Sequence, residues 1–273
     1  MQNRLYQAGT NSQAFSVTQN LYDPRPVAFI AKTSPSILNP VNTTDRGTYL
    51  MDRVTIGALQ LTAAVRSAEY ESTTVRNTVN PPVTTRYTAS PTTYSAAALY
   101  KVRKDTSVYT SYIDANRFVV LDGRTEIKGV EASINGEIAK GVSLYASAMV
   151  LDPVLKRAAT AALTGKTPDN MPRVTASLLL EYRPAGWPGL SMNVGAYHTG
   201  ERFINPLNQA EIPGYTIFTA GLGYKAKVGG YPVSLQANVG NLSNERYWEA
   251  GGAGYIAVGA PRTISLTAKV ELK

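Results

Sequence analysis

The chain has 273 residues, of which 44% are hydrophobic and 17% are charged, and its formal net charge is +8. No apolar run reaches the ~18 residues that a membrane-spanning helix needs, so a helical membrane protein is excluded. The absence of cysteine excludes thiol catalysis and Cys-ligated metal sites. Most basic residues are scattered singly, and the densest clusters, 101–104 and 156–157, lie at predicted turns or strand ends and not on a recognition element, so we expect no nucleic-acid partner.

The N-terminal part of the chain differs in composition from the rest. Residues 1–44 are rich in Asn, Ser, Thr and Pro, which predicts an irregular, loop-rich segment with room for one strand. The first residues lack the apolar stretch of a signal peptide, which we expect for a chain whose start has been removed. We therefore predict two regions, with 45–273 forming the β domain.

From residue 45 onward the chain alternates apolar and polar residues in runs separated by turn signals, which is typical of β-strands. The predicted strands are 45–57, 59–73, 84–101, 105–113, 117–137, 142–152, 173–183, 190–203, 214–227, 232–248 and 255–272, about twelve with one in the first segment. Short turns such as Lys140-Gly141 alternate with long segments such as 153–170 and 204–213. This asymmetry is typical of bacterial outer-membrane barrels.

The last strand shows why the apolar faces matter. Ile264, Leu266 and Val270 fall on one face, while Ser265 and Lys269 fall on the other. A soluble sandwich would pair such apolar faces into a core, whereas a barrel would turn them toward lipid. The polar faces carry small and charged groups that suit a wet interior. The pattern therefore favours an all-β, antiparallel transmembrane β-barrel.

Several short motifs occur along the predicted strands. The run 238–248 (NVGNLSNERYW) resembles the N-x-x-N-L…R-Y segment in the penultimate strand of TonB-dependent outer-membrane siderophore receptors. Further similarities, in the family's order, are 45–53 (DRGTYLMDR), 105–112 (DTSVYTSY), 167–177 (TPDNMPRVTAS), 213–216 (PGYT) and 259–263 (GAPRT). The resemblance implies a bacterial outer-membrane barrel that transports ferric siderophores, which bind as cargo with no covalently bound cofactor.

The chain also departs from the family pattern. The family has a TonB box, a plug and a barrel of about 22 strands, whereas here neither box nor plug is visible and about half the strands are present. After Ile113 we expect a surface loop and two further strands, yet the chain passes through Asp114-Ala115 directly to Asn116. It therefore reads as a fragment, a truncated form or an engineered deletion. Coupling to TonB–ExbB–ExbD is expected only if plug and box are supplied.

The resemblance also orients the strands, so that the last one ends in the periplasm and residues near its start lie at the extracellular rim. The rim residues that suit an aryl or anionic chelate are Tyr197, Arg202, Phe203, Arg246, Tyr247, Trp248 and Tyr255. The same residues suit an aromatic girdle with basic groups facing outer-membrane lipid and lipopolysaccharide. His198, the only histidine, shares its face with Met192 and Val194 and is expected to point outward, which makes it a poor metal ligand.

Two other functions remain open. Without plug and box, a closed barrel would act as a passive, porin-like pore or an engineered mini-barrel. An outer-membrane hydrolase would need a base beside a nucleophile, and the chain offers one histidine, no cysteine and no Gly-x-Ser-x-Gly motif, so we expect no enzyme. Residues 221–226 (GLGYKA) match a dinucleotide fingerprint only superficially, because no helix is expected to follow.

Overall fold

The computed structural model describes residues 2–7, 38–77, 79–119, 123–158, 160–252 and 255–271. The described residues form seventeen strands and one 3₁₀ turn, Ala161–Leu163. The strands are β1 (Gln2–Gln7), β2 (Leu38–Ile56), β3 (Leu59–Arg76), β4 (Val83–Ala89), β5 (Thr92–Arg103), β6 (Thr106–Val119), β7 (Gly123–Ala139), β8 (Val142–Arg157), β9 (Val174–Tyr182), β10 (Leu190–Thr199), β11 (Arg202–Phe203), β12 (Glu211–Ile212), β13 (Tyr215–Val228), β14 (Tyr231–Gly240), β15 (Trp248–Gly252), β16 (Tyr255–Val258) and β17 (Thr263–Val270).

One antiparallel sheet contains most of these strands. Its order is β1-β2-β3-β5-β6-β7-β8-β9-β10-β13-β14-β17, with β4 paired to β3 beside this path. Two small hairpins, β11–β12 and β15–β16, lie outside it. The predicted all-β antiparallel architecture of about twelve strands is therefore confirmed.

The chain divides into two compact units. One contains residues 1–47 and 68–90, and within its described part Val41, Ala68, Tyr70 and Tyr87 are buried. The rings of Tyr70 and Tyr87 lie 6.0 Å apart. The predicted boundary between 44 and 45 stays a prediction, although β2 continues across it.

The other unit contains residues 48–67 and 91–273, and its strands have two chemically different faces. Cross-strand pairing places Leu178 beside Ala196 and Phe218 on an apolar face. The alternate residues Ser177, Tyr197 and Ile217 share the opposite, more polar face. Because successive side chains of a strand alternate, this part of the sheet has one apolar face and one more polar face.

The two ends of this unit also differ. Tight turns connect strands at the end that we call the turn end: Gly57–Ala58, Lys104–Asp105, Lys140–Gly141 and Gly229–Gly230. Gly229 and Gly230 both have positive φ (59° and 87°), which a two-residue hairpin turn demands and glycine adopts without strain. The opposite end, the loop end, carries the long connections 158–173, 200–214 and 241–262.

Several predicted strands are wrong in their boundaries. Residues 84–101 are two strands, because the chain breaks before Pro91 and both β4 and β5 pair with β3. Residues 117–119 complete β6 in register with β7, so β7 begins at Gly123. The predicted strands 190–203, 232–248 and 255–272 each divide into a sheet strand and part of a small hairpin. In these cases the pairing with neighbouring strands, and not the local sequence pattern, sets the strand ends.

Among the described residues, no helix is long and apolar enough to cross a membrane.

Candidate functional site at the loop end

The three long connections at the loop end are joined by hydrogen bonds. The Asn208 side-chain amide donates to the carbonyl oxygen of Thr167 at 2.8 Å, and its oxygen accepts from the Thr167 amide at 2.8 Å. The Asn170 amide donates to the carbonyl oxygen of Phe203 at 2.8 Å. These bonds connect 158–173 to 200–214 as one loop layer.

Arg202 joins the second connection to the third. Its side chain is only 7% exposed, and its Nη2 donates to the carbonyl oxygen of Trp248 at 3.4 Å. The guanidinium carbon lies 5.7 Å from the centre of the Tyr215 ring, within the range of a cation–π contact. The Nη1 atom is buried without a hydrogen-bond partner among the described residues. Arg202 therefore occupies the core of the loop layer.

Tyr247 stacks on the other aromatic residue of this group. The rings of Tyr215 and Tyr247 have centroids 4.1 Å apart and planes inclined by 33°. Gly259 lies directly against the Tyr247 ring, and its amide donates to the Tyr247 carbonyl oxygen at 2.8 Å. Burial raises the pKa of the Tyr247 phenol, and the nearby Glu249 carboxylate raises this pKa further.

A cavity of about 470 Å³ opens beside the stack. It is lined by Asn244, Glu245, Arg246, Tyr247, Trp248, Val258, Gly259 and Pro261. Arg246 and Trp248 are both exposed, so their guanidinium and indole groups can reach a molecule that enters the cavity. Two aromatic rings and a free-standing guanidinium can bind a flat or anionic group by stacking and paired hydrogen bonds.

Two asparagines support the segment that lines this cavity: Asn244 is part of the lining, and Asn241 holds the turn beside it. Asn241 is 4% exposed, and its side chain makes three hydrogen bonds: to the Glu245 amide (2.7 Å), the Glu245 carbonyl (2.8 Å) and the Ala260 carbonyl (2.9 Å). The Asn244 oxygen accepts from the Arg262 amide at 3.0 Å. Both asparagines have positive φ (50° and 55°), a conformation that asparagine tolerates better than most residues.

The structure brings together four of the seven rim residues predicted from the sequence. Arg202, Arg246, Tyr247 and Trp248 belong to the stack or the cavity, and Phe203 contacts the first connection through its carbonyl. The prediction that Tyr255 begins the strand returning from the rim is wrong. Tyr255 opens β16, is 74% exposed and pairs with Gly252, whereas the returning strand is β17.

Tyr197 lies apart from the loop-layer cavity. It stands on the polar face of β10, where it lines a second depression of about 360 Å³ with Ser133, Asn135, Ser147 and Ser177 among others. The hydroxyls of Ser147 and Ser177 lie 2.9 Å apart. His198 shares the apolar face with Ala196, as predicted, and its Nδ1 lies 3.0 Å from the Thr216 hydroxyl.

Sequence reasoning missed Tyr215, Asn241 and Gly259 as members of this site. All three residues fall within motifs of the family resemblance (213–216, 238–248 and 259–263), but nothing in the local pattern indicates that they support an aromatic stack. Only the folding of 241–262 back over β13 brings these three residues together.

An antiparallel sheet with one apolar face, tight turns at one end and joined long loops at the other defines a β-barrel wall of the outer-membrane class. The family model described as TonB dependent receptor-like, beta-barrel matches residues 2–118 and 114–242. The chain belongs to this family, as the motifs predicted, and is an outer-membrane protein. In this class the tight turns are periplasmic and the long loops extracellular, which assigns the turn end and the loop end accordingly.

The two matched segments overlap at 114–118. This is the junction where the resemblance predicted a missing loop and two missing strands. In the structure, β6 runs through the junction from Thr106 to Val119, with each residue paired to β7.

Individual relatives match only part of their length. The chain is 27% identical over 176 residues to the ferrichrome receptor FcuA of Yersinia enterocolitica, covering 64% of this chain and 23% of FcuA. It is 26% identical over 153 residues to the ferrichrome outer membrane transporter/phage receptor of Escherichia coli, covering 55% and 20%.

Solved structures show the same fold. The ferric preacinetobactin receptor BauA of Acinetobacter baumannii matches with a TM-score of 0.57 and 23% identity, over 92% of this chain and 46% of BauA. The ferric citrate transporter FecA matches with a TM-score of 0.58 and 16% identity, over 86% of this chain and 46% of FecA. The chain thus spans about half the length of these receptors.

Proposed function

We propose that this chain forms part of the barrel wall and the extracellular docking site of a receptor for ferric siderophores. The observation that carries the proposal is the cavity at the loop end, where Arg246, Tyr247 and Trp248 present a guanidinium and two aromatic rings. Membership of a receptor family supports it, as do relatives named as ferrichrome receptors.

Each residue of the site has a distinct role in this proposal. Trp248 and Tyr247 offer ring faces to the chelate, and Arg246 attracts its negative charge. Arg202 and Tyr215 do not touch the chelate but hold Tyr247 in place from beneath. Asn241 fixes the turn that carries Arg246.

Energy-coupled release is a further part of the proposal. Coupling to TonB–ExbB–ExbD requires a plug and a TonB box, which must be supplied together with this barrel wall. Lipopolysaccharide and outer-membrane lipid would contact the apolar face. We assign no catalytic role, because the histidine His198 stands on the apolar face beside Thr216, away from the cavity.

The test measures binding of ferrichrome and of a ferric catecholate to the chain reconstituted in lipid vesicles. We expect saturable binding of at least one chelate, with quenching of Trp248 fluorescence. Trp248→Leu and Arg246→Gln should each weaken binding about tenfold, as expected for residues central to an interface. Trp187→Leu is the matched control, because Trp187 lies 69% exposed in the 183–189 turn at the periplasmic end.

A passive pore is the second candidate function, and the polar face favours it. Glu181, Asn193 and Asn238 lie in one cross-strand row on that face and would line a wet lumen. Chelate flux that rises linearly with concentration and is unaffected by Arg246→Gln would support the pore and contradict the receptor.

A further inference from the structure

The apolar face carries a groove between β2 and β7. The groove has a volume of about 480 Å³ and is lined by Asp52, Val54, Leu61, Thr62, Ala63, Ala96, Ala97, Ala98, Thr110, Ser111, Tyr112 and Val130. Small side chains on neighbouring strands form the floor of the groove: Ala63 is paired with Ala96, and Ala98 is paired with Thr110. Leu61, Tyr112 and Val130 stand higher around this floor.

The groove is apolar along most of its length. The Thr110 hydroxyl donates to the Glu131 carbonyl oxygen at 2.9 Å, so its hydrogen needs no acceptor from a molecule bound in the groove. The charged exception is Asp52. Strand alternation places Asp52 with Val54 and Leu50 on the lipid-contacting face, where a carboxylate is costly unless a partner compensates it.

The described residues supply Asp52 with no cationic partner. One of its oxygens accepts a hydrogen bond from the Arg53 amide at 2.8 Å, and no ion pair involves it. The Arg53 side chain falls on the opposite face by alternation. The groove therefore combines an apolar floor with one anionic end that lacks a counter-charge.

The groove also has a direction across the membrane. Asp52 lies five residues before the turn at Gly57, and Val130 lies ten residues before the turn at Lys140. At about 2.5 Å of height per tilted residue, Asp52 is about 12 Å and Val130 about 25 Å from the periplasmic turns. The anionic end is thus the one nearer the periplasmic headgroups, and the apolar floor rises from it toward the bilayer interior.

We propose that this groove binds one phospholipid of the periplasmic leaflet that carries a primary ammonium headgroup. The ammonium pairs with Asp52, and an acyl chain lies over Ala63, Ala96 and Ala98 as far as Val130. Charge complementarity selects the headgroup, and the space left by the small alanine side chains holds the acyl chain. The site does not depend on siderophore binding, so either proposal can fail without the other.

The experiment measures which lipid stays bound to the 273-residue chain. The protein is reconstituted in vesicles of equal phosphatidylethanolamine and phosphatidylglycerol content and then extracted in mild detergent. Native mass spectrometry counts each retained lipid. We expect about fivefold more phosphatidylethanolamine than phosphatidylglycerol, the preference that one partly exposed ion pair can produce.

Two variants and two matched controls separate the headgroup from the acyl chain. Asp52→Asn should equalise the two lipids without lowering the total, whereas Ala96→Phe should lower the retention of both. Asp152→Asn and Ala148→Phe, which change an aspartate and an alanine elsewhere on the apolar face, should behave as wild type. The heat-dependent mobility of each variant in electrophoresis verifies that it is folded.

Equal retention of both lipids by the wild-type chain would overturn the proposal, as would an Asp52→Asn variant that keeps the preference. Carbodiimide coupling of Asp52 to a lysine of another polypeptide would also overturn it, because a protein strand would then occupy the groove.

Discussion

At the scale of single residues, the loop layer depends on a buried cation that serves structure. Arg202 lies under the aromatic stack, shielded from the cavity that Arg246 lines. A buried guanidinium is tolerated when carbonyls and ring faces replace water, and here the Trp248 carbonyl and the Tyr215 ring do so. Two arginines of one loop layer thus lie in opposite environments, Arg202 buried and Arg246 exposed.

Arg202→Gln should loosen the loop layer. The substitution removes the cation that contacts the Tyr215 ring and leaves the Trp248 carbonyl poorly paired. We therefore expect the free energy of unfolding to fall by about 1–3 kcal/mol. Hydrogen exchange of residues 202–215 and 246–259 should rise. Arg202→Lys should lose less stability than Arg202→Gln but more than wild type, because an ammonium lacks the planar fork of a guanidinium. Equal exchange in Arg202→Gln and the exposed-site control Arg246→Gln would refute this role.

Tyr247 should lose its proton at higher pH than an ordinary tyrosine. Its pKa is raised above the usual value of about 10, mainly by burial. A raised pKa in the folded state means that the folded loop favours the neutral phenol. The stabilisation is therefore complete below the unfolded pKa and is lost as pH rises through the folded one. Ultraviolet titration should show a late-ionising phenol that disappears in Tyr247→Phe; an unchanged curve would contradict the assignment.

At the scale of elements, the N-x-x-N-L motif is the foundation of the third connection. Asn241 bridges the two ends of the loop through Glu245 and Ala260, and the Leu242 amide donates to the Phe218 carbonyl oxygen at 2.7 Å. The motif thus ends β14 and turns the chain over β13. It therefore acts as a loop base, whereas the sequence pattern predicts a continuous strand over 232–248.

Asn241→Ala should detach this loop. Three hydrogen bonds disappear and a positive-φ position receives a residue that tolerates it poorly, so a loss of about 2–3 kcal/mol is expected. Urea unfolding from lipid vesicles measures the change. Ser243→Ala, at an exposed position two residues on, is the control and should change stability little. Equal stability of the two variants would contradict the bridging role.

Gly259→Ala should displace the Tyr247 ring. A Cβ at Gly259 would overlap that ring, so the stack on Tyr215 must open or the loop must shift. We expect weaker chelate binding, by about tenfold, and faster exchange of the Tyr247 amide. Gly186→Ala is the matched control and should bind as wild type, since a Cβ there meets no atom within 4 Å. Unchanged binding in Gly259→Ala would show that the ring position does not matter.

At the scale of the whole molecule, strand direction restricts how the wall can close. Within the second unit, β2 and β17 both run from the loop end to the turn end, and no described pairing joins them. Their direct pairing would be parallel, while the pairings described for the sheet are antiparallel. An antiparallel sheet can therefore join β2 to β17 only through an odd number of intervening strands, and β1, which pairs antiparallel with β2, is one such strand.

Disulfide trapping tests this restriction. Cysteines at Thr55 of β2 and Thr267 of β17 should not join within one chain in lipid vesicles. Cysteines at Gln236 and Thr267, which are directly paired on β14 and β17, should join readily. Efficient Thr55–Thr267 bridging would show that the chain closes on itself.

The sequence by itself determined the strands, their two faces and the family. Period-two alternation is a local property, so the faces of β9, β10 and β17 could be read directly from residues such as Leu178, Val194 and Ile264. Ordered motifs along the chain then indicated the receptor family. None of these features depends on which distant residues meet.

Only the tertiary structure decided where strands end and which rim residues share a site. A strand stops where its partner stops, so β14 ends at Gly240, opposite Thr263 at the start of β17. Arg202 and Trp248 are 46 residues apart in sequence and meet because two loops fold over the same strand end. Such contacts depend on loop paths, which side-chain periodicity does not encode; the stack of Tyr247 on Tyr215 was therefore beyond reach of the sequence alone.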